Sequence, residues 1–207
     1  MIDKTFRERS TMKNARLILA LVWAVILSGC AGTDFKRPEP QALVVGKSTT
    51  SDVIRVMGAP YQTGESLKNG EKIKTARYAY AEGAGAGRYP GVVPARAMVF
   101  HTFNDLLIGQ EFVSSFPADA TEYDETKIQS IAKGKSTRAD VVSLLGKPNG
   151  EAEYPLIKSK GEKGVIYSYS HAKGNVFNMK FYSKILVVSF GANNVVTDLE
   201  YTSSGER

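Results

Sequence analysis

One block of this chain is written twice. Gly46-Lys-Ser-Thr-Thr-Ser-Asp-Val-Ile-Arg-Val-Met-Gly-Ala-Pro60 aligns without gaps on Gly134-Lys-Ser-Thr-Arg-Ala-Asp-Val-Val-Ser-Leu-Leu-Gly-Lys-Pro148. Eight of the fifteen positions are identical, and three more exchange one aliphatic residue for another. Tyr78-Ala-Tyr80 then matches Tyr167-Ser-Tyr169, and Gln110–Ser115 matches Leu199–Ser204, in the same order and about 88 residues on. A period of this kind has to be read before any other feature, because it sets how many like units share the fold.

Each copy of the block spells a short helix with both ends marked. Thr49 and Thr137 can cap it with their hydroxyls, and Asp52 and Asp140, three residues on, can return a bond to the cap amide. Val53, Ile54, Val56 and Met57 form an apolar face, which Val141, Val142, Leu144 and Leu145 repeat. Gly58 and Gly146 suit a left-handed residue after the helix, and Pro60 and Pro148 prevent its resumption. A helix this short does not persist alone, so it needs a surface to pack on. Strands are expected over 73–80, 96–103 and 106–116, then over 165–171, 176–182, 184–190 and 195–202, with a hairpin turn at Gly191-Ala-Asn-Asn194. A further helix is expected over 125–133. The expected fold class is α+β: two tandem repeats, each of short helices packed on a small antiparallel sheet, over residues 44–118 and 125–204.

The N-terminus carries a different signal. Lys4, Arg7, Arg9, Lys13 and Arg16 precede an unbroken apolar run, Leu17 to Leu27, which is too short to span a bilayer as a helix. A basic region before a short apolar one reads as a secretory signal over 1–29. Leu27-Ser28-Gly29-Cys30 ends it and resembles the lipobox of bacterial lipoproteins, which implies lipidation of Cys30. Cys30 is the chain's only cysteine, so no internal disulfide is expected. Ala31 after it favours the outer membrane by the same resemblance. Residues 30–43, with Pro38 and Pro40, read as a tether between lipid and domain.

Charge excludes one class of function. Beyond residue 29 the chain holds 22 Lys/Arg against 19 Asp/Glu, a net +3, too little to point to nucleic acid. Gly46-Lys47-Ser48-Thr49 lacks the earlier glycine of a phosphate loop, since Gln41 and Gln129 stand at those places, so no nucleotide is expected. Ser170-His-Ala-Lys173 has the spacing of a penicillin-recognising motif without its companion elements. His101 and His171, the only histidines, sit in no metal-ligand pattern. The expectation is a protein without cofactor or catalysis. The lysines at 158, 160, 163, 173, 180 and 184 read as a solvated face or as contacts for anionic lipid. The Gly- and Pro-rich segment 81–95 is expected to be mobile, with Arg88, Tyr89 and Arg96 as candidate binding residues, since Tyr and Arg are enriched where partners bind.

The signature G-K-S-T-x-x-D-V-x-x-x-x-G-x-P, followed by a Tyr-bearing strand and closing strands, resembles the BamE/SmpA/OmlA family of small outer-membrane lipoproteins. Its tandem occurrence resembles the β-lactamase inhibitory protein architecture. The resemblance implies two short helices and a three-stranded antiparallel sheet per unit, and a non-catalytic role in outer-membrane assembly or integrity through an envelope protein partner. Inhibition of a periplasmic enzyme and binding of anionic lipid headgroups stand as alternatives.

Overall fold

The computed structural model describes residues 32–206, apart from positions 84, 86 and 176. The signal and Cys30 lie outside the described residues. The doubled block forms α1, Thr50–Met57, and α2, Arg138–Leu145. Both begin with a reciprocal cap: the Thr49 and Asp52 backbone amides each bond the other residue's side chain, as do those of Thr137 and Asp140. The Thr49 backbone amide, and after it the Arg55 guanidinium, holds the Asp52 carboxyl down at about 2. Gly58 and Gly146 have the expected positive φ, 78° and 84°, but ψ of −163° and −167°. This is not the left-handed helical well but a region essentially restricted to glycine. The strand tyrosines close each motif, with the Tyr78 hydroxyl donating to the Gly58 carbonyl at 2.8 Å and that of Tyr167 to the Gly146 carbonyl at 2.9 Å.

The strands are β1 (Gln62–Lys68), β2 (Glu71–Ala81), β3 (Val92–Val93), β4 (Ala95–Phe103), β5 (Leu106–Ser114), β6 (Gly150–Ala152), β7 (Lys163–Asn175), β8 (Asn178–Phe190) and β9 (Val196–Gly205). They form one sheet in the order β1-β2-β4-β5-β6-β7-β8-β9, with β3 paired to β7. All pairings are antiparallel, and the sheet curls into a half-barrel. The expected α+β arrangement, two repeats each with its own small sheet, is therefore overturned. The cause is β6, which lies between the halves and pairs with β5 on one side and β7 on the other. Its first residue is a glycine for a reason of space: a Cβ on Gly150 would stand 2.6 Å from the Gln110 carbonyl oxygen.

Other elements also differ from expectation. β1 was not expected, because all seven of its residues are exposed and show no apolar alternation. β8 is one strand of 13 residues where two were expected. Residues 125–130 form a 3-10 helix rather than a longer α-helix. The helices cover one face of the sheet. Val53 packs with Leu43, Tyr78, Met98, Phe100 and Leu107, and Val141 with Val165, Tyr167, Leu186, Val188 and Val196. Alternation turns Ile166 to the other face, where Ile157 and Ala152 pack on it. There the Asn69 amide donates to the Pro155 and Ile157 carbonyls, 3.0 Å each, tying the β1–β2 turn to the loop after β6.

The segment expected as a tether is laid on the protein. Gly32 bridges to Tyr80, Phe35 meets Tyr78 edge-on at 6.5 Å, the Arg37 guanidinium lies 5.0 Å from the Phe112 ring centre, and Leu43 is buried. An aromatic and an arginine spaced along an extended chain supply enough contact to hold it there.

Candidate binding cleft

Strand alternation builds an aromatic row. On β7, Tyr167, Tyr169 and His171 share the helix-bearing face; on β8, Lys184 stands opposite Tyr169 and Tyr182 opposite His171. The ring centres of Tyr169 and His171 are 5.6 Å apart, and those of His171 and Tyr182 5.4 Å. β3 pairs Val92 with Lys173 and Val93 with Ala172, which carries Tyr89 and Pro90 over the row. Between them is a cavity of about 420 Å³ walled by Tyr89, Val92, Glu122, Tyr169, His171 and Tyr182.

The charges of the cleft lie at its margin. Glu122, from the link between the halves, accepts a hydrogen bond from the Tyr89 hydroxyl at 2.5 Å, and the Arg88 Nε stands 3.5 Å from its carboxylate. Inside, burial keeps the groups neutral: it pushes Tyr169 up to about 12 and lowers the pKa of His171. The Tyr169 hydroxyl and the His171 Nδ1 are sealed from water, with no hydrogen-bond partner among the described residues. Beneath the row, Lys184 is 3% exposed, donates to the Tyr123 carbonyl, pairs with Glu125 and lies 4.7 Å from the Tyr123 ring centre. Burial pushes its amine pKa down. Flat apolar walls, neutral polar groups and a charged margin suit non-covalent insertion of an apolar or aromatic group with a hydrogen-bonding end.

Arg88 and Tyr89 are thus brought together, on Glu122. Arg96 is not with them. Its guanidinium pairs with Asp34 at 2.7 Å and lies 5.0 Å from the Phe116 ring centre and 5.6 Å from that of Tyr80, so it clamps residues 32–35 to the sheet. Two further expectations are corrected. Within segment 81–95, Tyr89, Val92 and Val93 are held in place by Glu122 and by β7. Lys184 is buried rather than solvated. Sequence reasoning missed the cleft itself, although Tyr167-x-Tyr169-x-His171 already carries the two-residue period that places these rings on one face.

Two other places hold unusual chemistry. On the opposite face, the Glu111 Oε2 is buried without a partner and burial raises the pKa of its carboxyl. Nearby on β4, His101 lies 3.2 Å from the Thr75 hydroxyl through Nδ1, and burial, with Arg77 and Lys68 adding to it, lowers its pKa to about 4. Between α1 and β1–β2 runs a groove of about 500 Å³ with Val53, Ile54, Pro60, Ala76 and Phe100 on its apolar wall and Glu65, Lys74 and threonines along the rest. Among the described residues no group of three His, Cys, Asp or Glu is placed to hold a metal ion.

Comparison with known proteins adds little to this geometry. No family profile matches the chain, and no curated protein matches it. The chain is similar to a solved structure named "putative beta-lactamase inhibitor protein" from Streptococcus mutans, at 8% identity and a TM-score of 0.38, over 78% of this chain and 91% of that one. The resemblance to BamE/SmpA/OmlA lipoproteins therefore rests on the motif residues alone.

Proposed function

We propose that this protein is a lipid-anchored, non-catalytic binding module of the bacterial envelope, which takes hold of a protein partner through the cleft under Tyr89. The observation that carries the reading is the pair of sealed polar atoms, the Tyr169 hydroxyl and the His171 Nδ1, on the side chains of a cleft walled chiefly by aromatic rings. Buried polar groups without partners are costly, and that cost is recovered when an incoming group supplies the missing hydrogen bonds. Tyr89, 43% exposed and bonded to Glu122, forms the outer wall of the cleft. Tyrosines and arginine at the margin are the residue types that dominate binding energy at interfaces. The anchor is read from Leu27-Ser28-Gly29-Cys30, and the resemblance to BamE/SmpA/OmlA proteins favours an outer-membrane partner involved in assembly or integrity.

The experiment has two arms. Cys30→Ser should abolish lipid labelling and release the protein from membranes; unchanged mass and membrane retention would remove the anchor from the reading. A photo-crosslinking amino acid at position 89, in intact envelopes, should give a discrete product that is lost in His171→Ala. A membrane-bound protein giving no product from position 89 would remove the cleft.

A further inference from the structure

The hairpin of β7 and β8 runs past β2, β4 and β5, is flanked by β3 as far as Lys173 and by β9 as far as Tyr182, and ends in an apolar tip. Phe177 at the turn is 96% exposed and Phe181 68% exposed. Met179, Phe181 and Ile185 share one face of β8, with Ile185 also exposed. The other face carries Lys173 directly opposite Lys180. Two like charges facing each other across a strand pair disfavour the hairpin unless anions lie near. Glu206 pairs with Lys180, whereas Lys173 has no ion pair among the described residues. One face apolar, the other cationic and an aromatic residue at the tip is the composition of a segment lying at a bilayer surface.

The position of the chain's beginning identifies which surface. Gly32 joins the sheet at Tyr80, and Tyr80 stands level with Arg96 on β4 and Ser114 on β5. A small cavity places Gly32, Tyr80 and Val113 beside Ser170 of β7. From Ser170 the strand continues five residues to Asn175, about 17 Å at 3.3–3.4 Å per residue. The hairpin therefore projects from the same end of the sheet at which the N-terminal segment arrives. Cys30 precedes Gly32 by two residues, no more than about 7 Å of chain. Because residues 32–37 are docked, a lipid at Cys30 holds this end, and no other, against the membrane.

We propose that the β7–β8 tip is a second membrane contact: Phe177 and Phe181 enter the boundary between headgroups and acyl chains, and Lys173 and Lys180 face anionic headgroups. This rests on the lipoprotein reading for its orientation. Together the two contacts fix the tilt of the sheet on the bilayer. The cleft, whose margin includes Lys173 just below the tip, is then held at a set height above the headgroups.

The test uses the full chain, purified from membranes and weighed to establish its lipid. Trp23 lies in the segment 1–29, so Phe177→Trp gives a processed protein with a single tryptophan. In vesicles of phosphatidylcholine and phosphatidylglycerol its emission should shift to the blue and be quenched by lipids brominated near the headgroup end. The emission of a water-exposed indole, unquenched, overturns the proposal even if the protein is lipidated. Should the mass show Cys30 unmodified, the lipoprotein reading fails by itself and the tip is tested by vesicle sedimentation. Phe177→Ser should then weaken binding about tenfold or more, from the transfer of one phenylalanine ring. Equal binding by that variant overturns the proposal.

Discussion

Replacing Asn149 by alanine should unfold the two halves together. Asn149 is 7% exposed and sits where β6 begins. Its side-chain amide donates to the Phe112 carbonyl, to the Ser168 carbonyl at 3.0 Å and to the Ser168 hydroxyl at 2.8 Å, and its Oδ1 accepts the Ser168 amide at 2.8 Å. Its backbone carries the seam further, with the carbonyl accepting from Phe112 and the amide donating to Ile166. Alanine keeps the backbone bonds and leaves the Phe112 carbonyl and the Ser168 amide without the side chain that satisfied them. The Ser168 carbonyl is spared, because the Thr121 hydroxyl also donates to it at 2.8 Å. Two buried groups left unsatisfied cost about 1–3 kcal/mol each, so the loss should be about 4 kcal/mol. At about 2–4 °C per kcal/mol for a chain of this size, the melting temperature should fall by roughly 8–16 °C. Thermal and urea unfolding, followed by far- and near-ultraviolet circular dichroism, should give one coincident transition for both proteins. A loss under about 1 kcal/mol, or two separate transitions in the parent, would refute the view that β5, β6 and β7 weld the halves into one cooperative unit.

Two other substitutions test different parts of the fold. Gly58→Ala and Gly146→Ala should each cost about 1–3 kcal/mol in urea unfolding. Open space surrounds both positions, so conformation rather than crowding is at issue, and a variant as stable as the parent would reject that account. His101 has a folded pKa near 4 against 6.5 when free, so on acidification the unfolded chain takes the proton first. Stability from this site is intact above about pH 6.5 and falls through the window from 6.5 to 4, by about 3 kcal/mol in total. His101→Gln should flatten that slope, and an imidazole titrating near 6.5 by NMR would contradict the burial.

Much of the local structure was legible in the sequence and the long-range pairing was not. Thr49, Asp52 and Gly58 announce a helix of fixed length because each acts on backbone within four residues, and the same holds at Thr137, Asp140 and Gly146. The Gly191–Asn194 turn was legible for the same reason. The weld through β6 was not, since Gly150-Glu-Ala152 has neither length nor apolar alternation, and its pairing depends on Asn149 and on what approaches from 40 residues upstream. β1 escaped notice because an exposed edge strand needs no hydrophobic period. Residues 172–175 read as a break between two strands, whereas β7 runs on through them, with Gly174 at φ of 122°. At the cleft, Arg88 and Tyr89 were identified by residue type. Glu122 and the sealed atoms of Tyr169 and His171 depend on three segments meeting, which no local pattern encodes.

The half-barrel does not close. Among the described residues β1 pairs with β2 alone, and β9 pairs with β8 alone apart from Val196, whose carbonyl and amide bond Gly134 and Ser136. Along the rest of its length each edge presents a row of amides and carbonyls to whatever approaches. The two rows are unlike, so contact between them is head-to-tail: the β9 rim of one molecule against the β1 rim of the next. Such a contact has no symmetry that ends it and would grow as a fibre instead of stopping at a dimer. Glu65 and Lys68 on β1, and Asp198 and Glu200 on β9, place charge along both rims, a device that discourages edge-to-edge growth. Under the proposed anchoring every copy would stand the same way up, and those few charged side chains would then separate a dispersed population from a linear polymer.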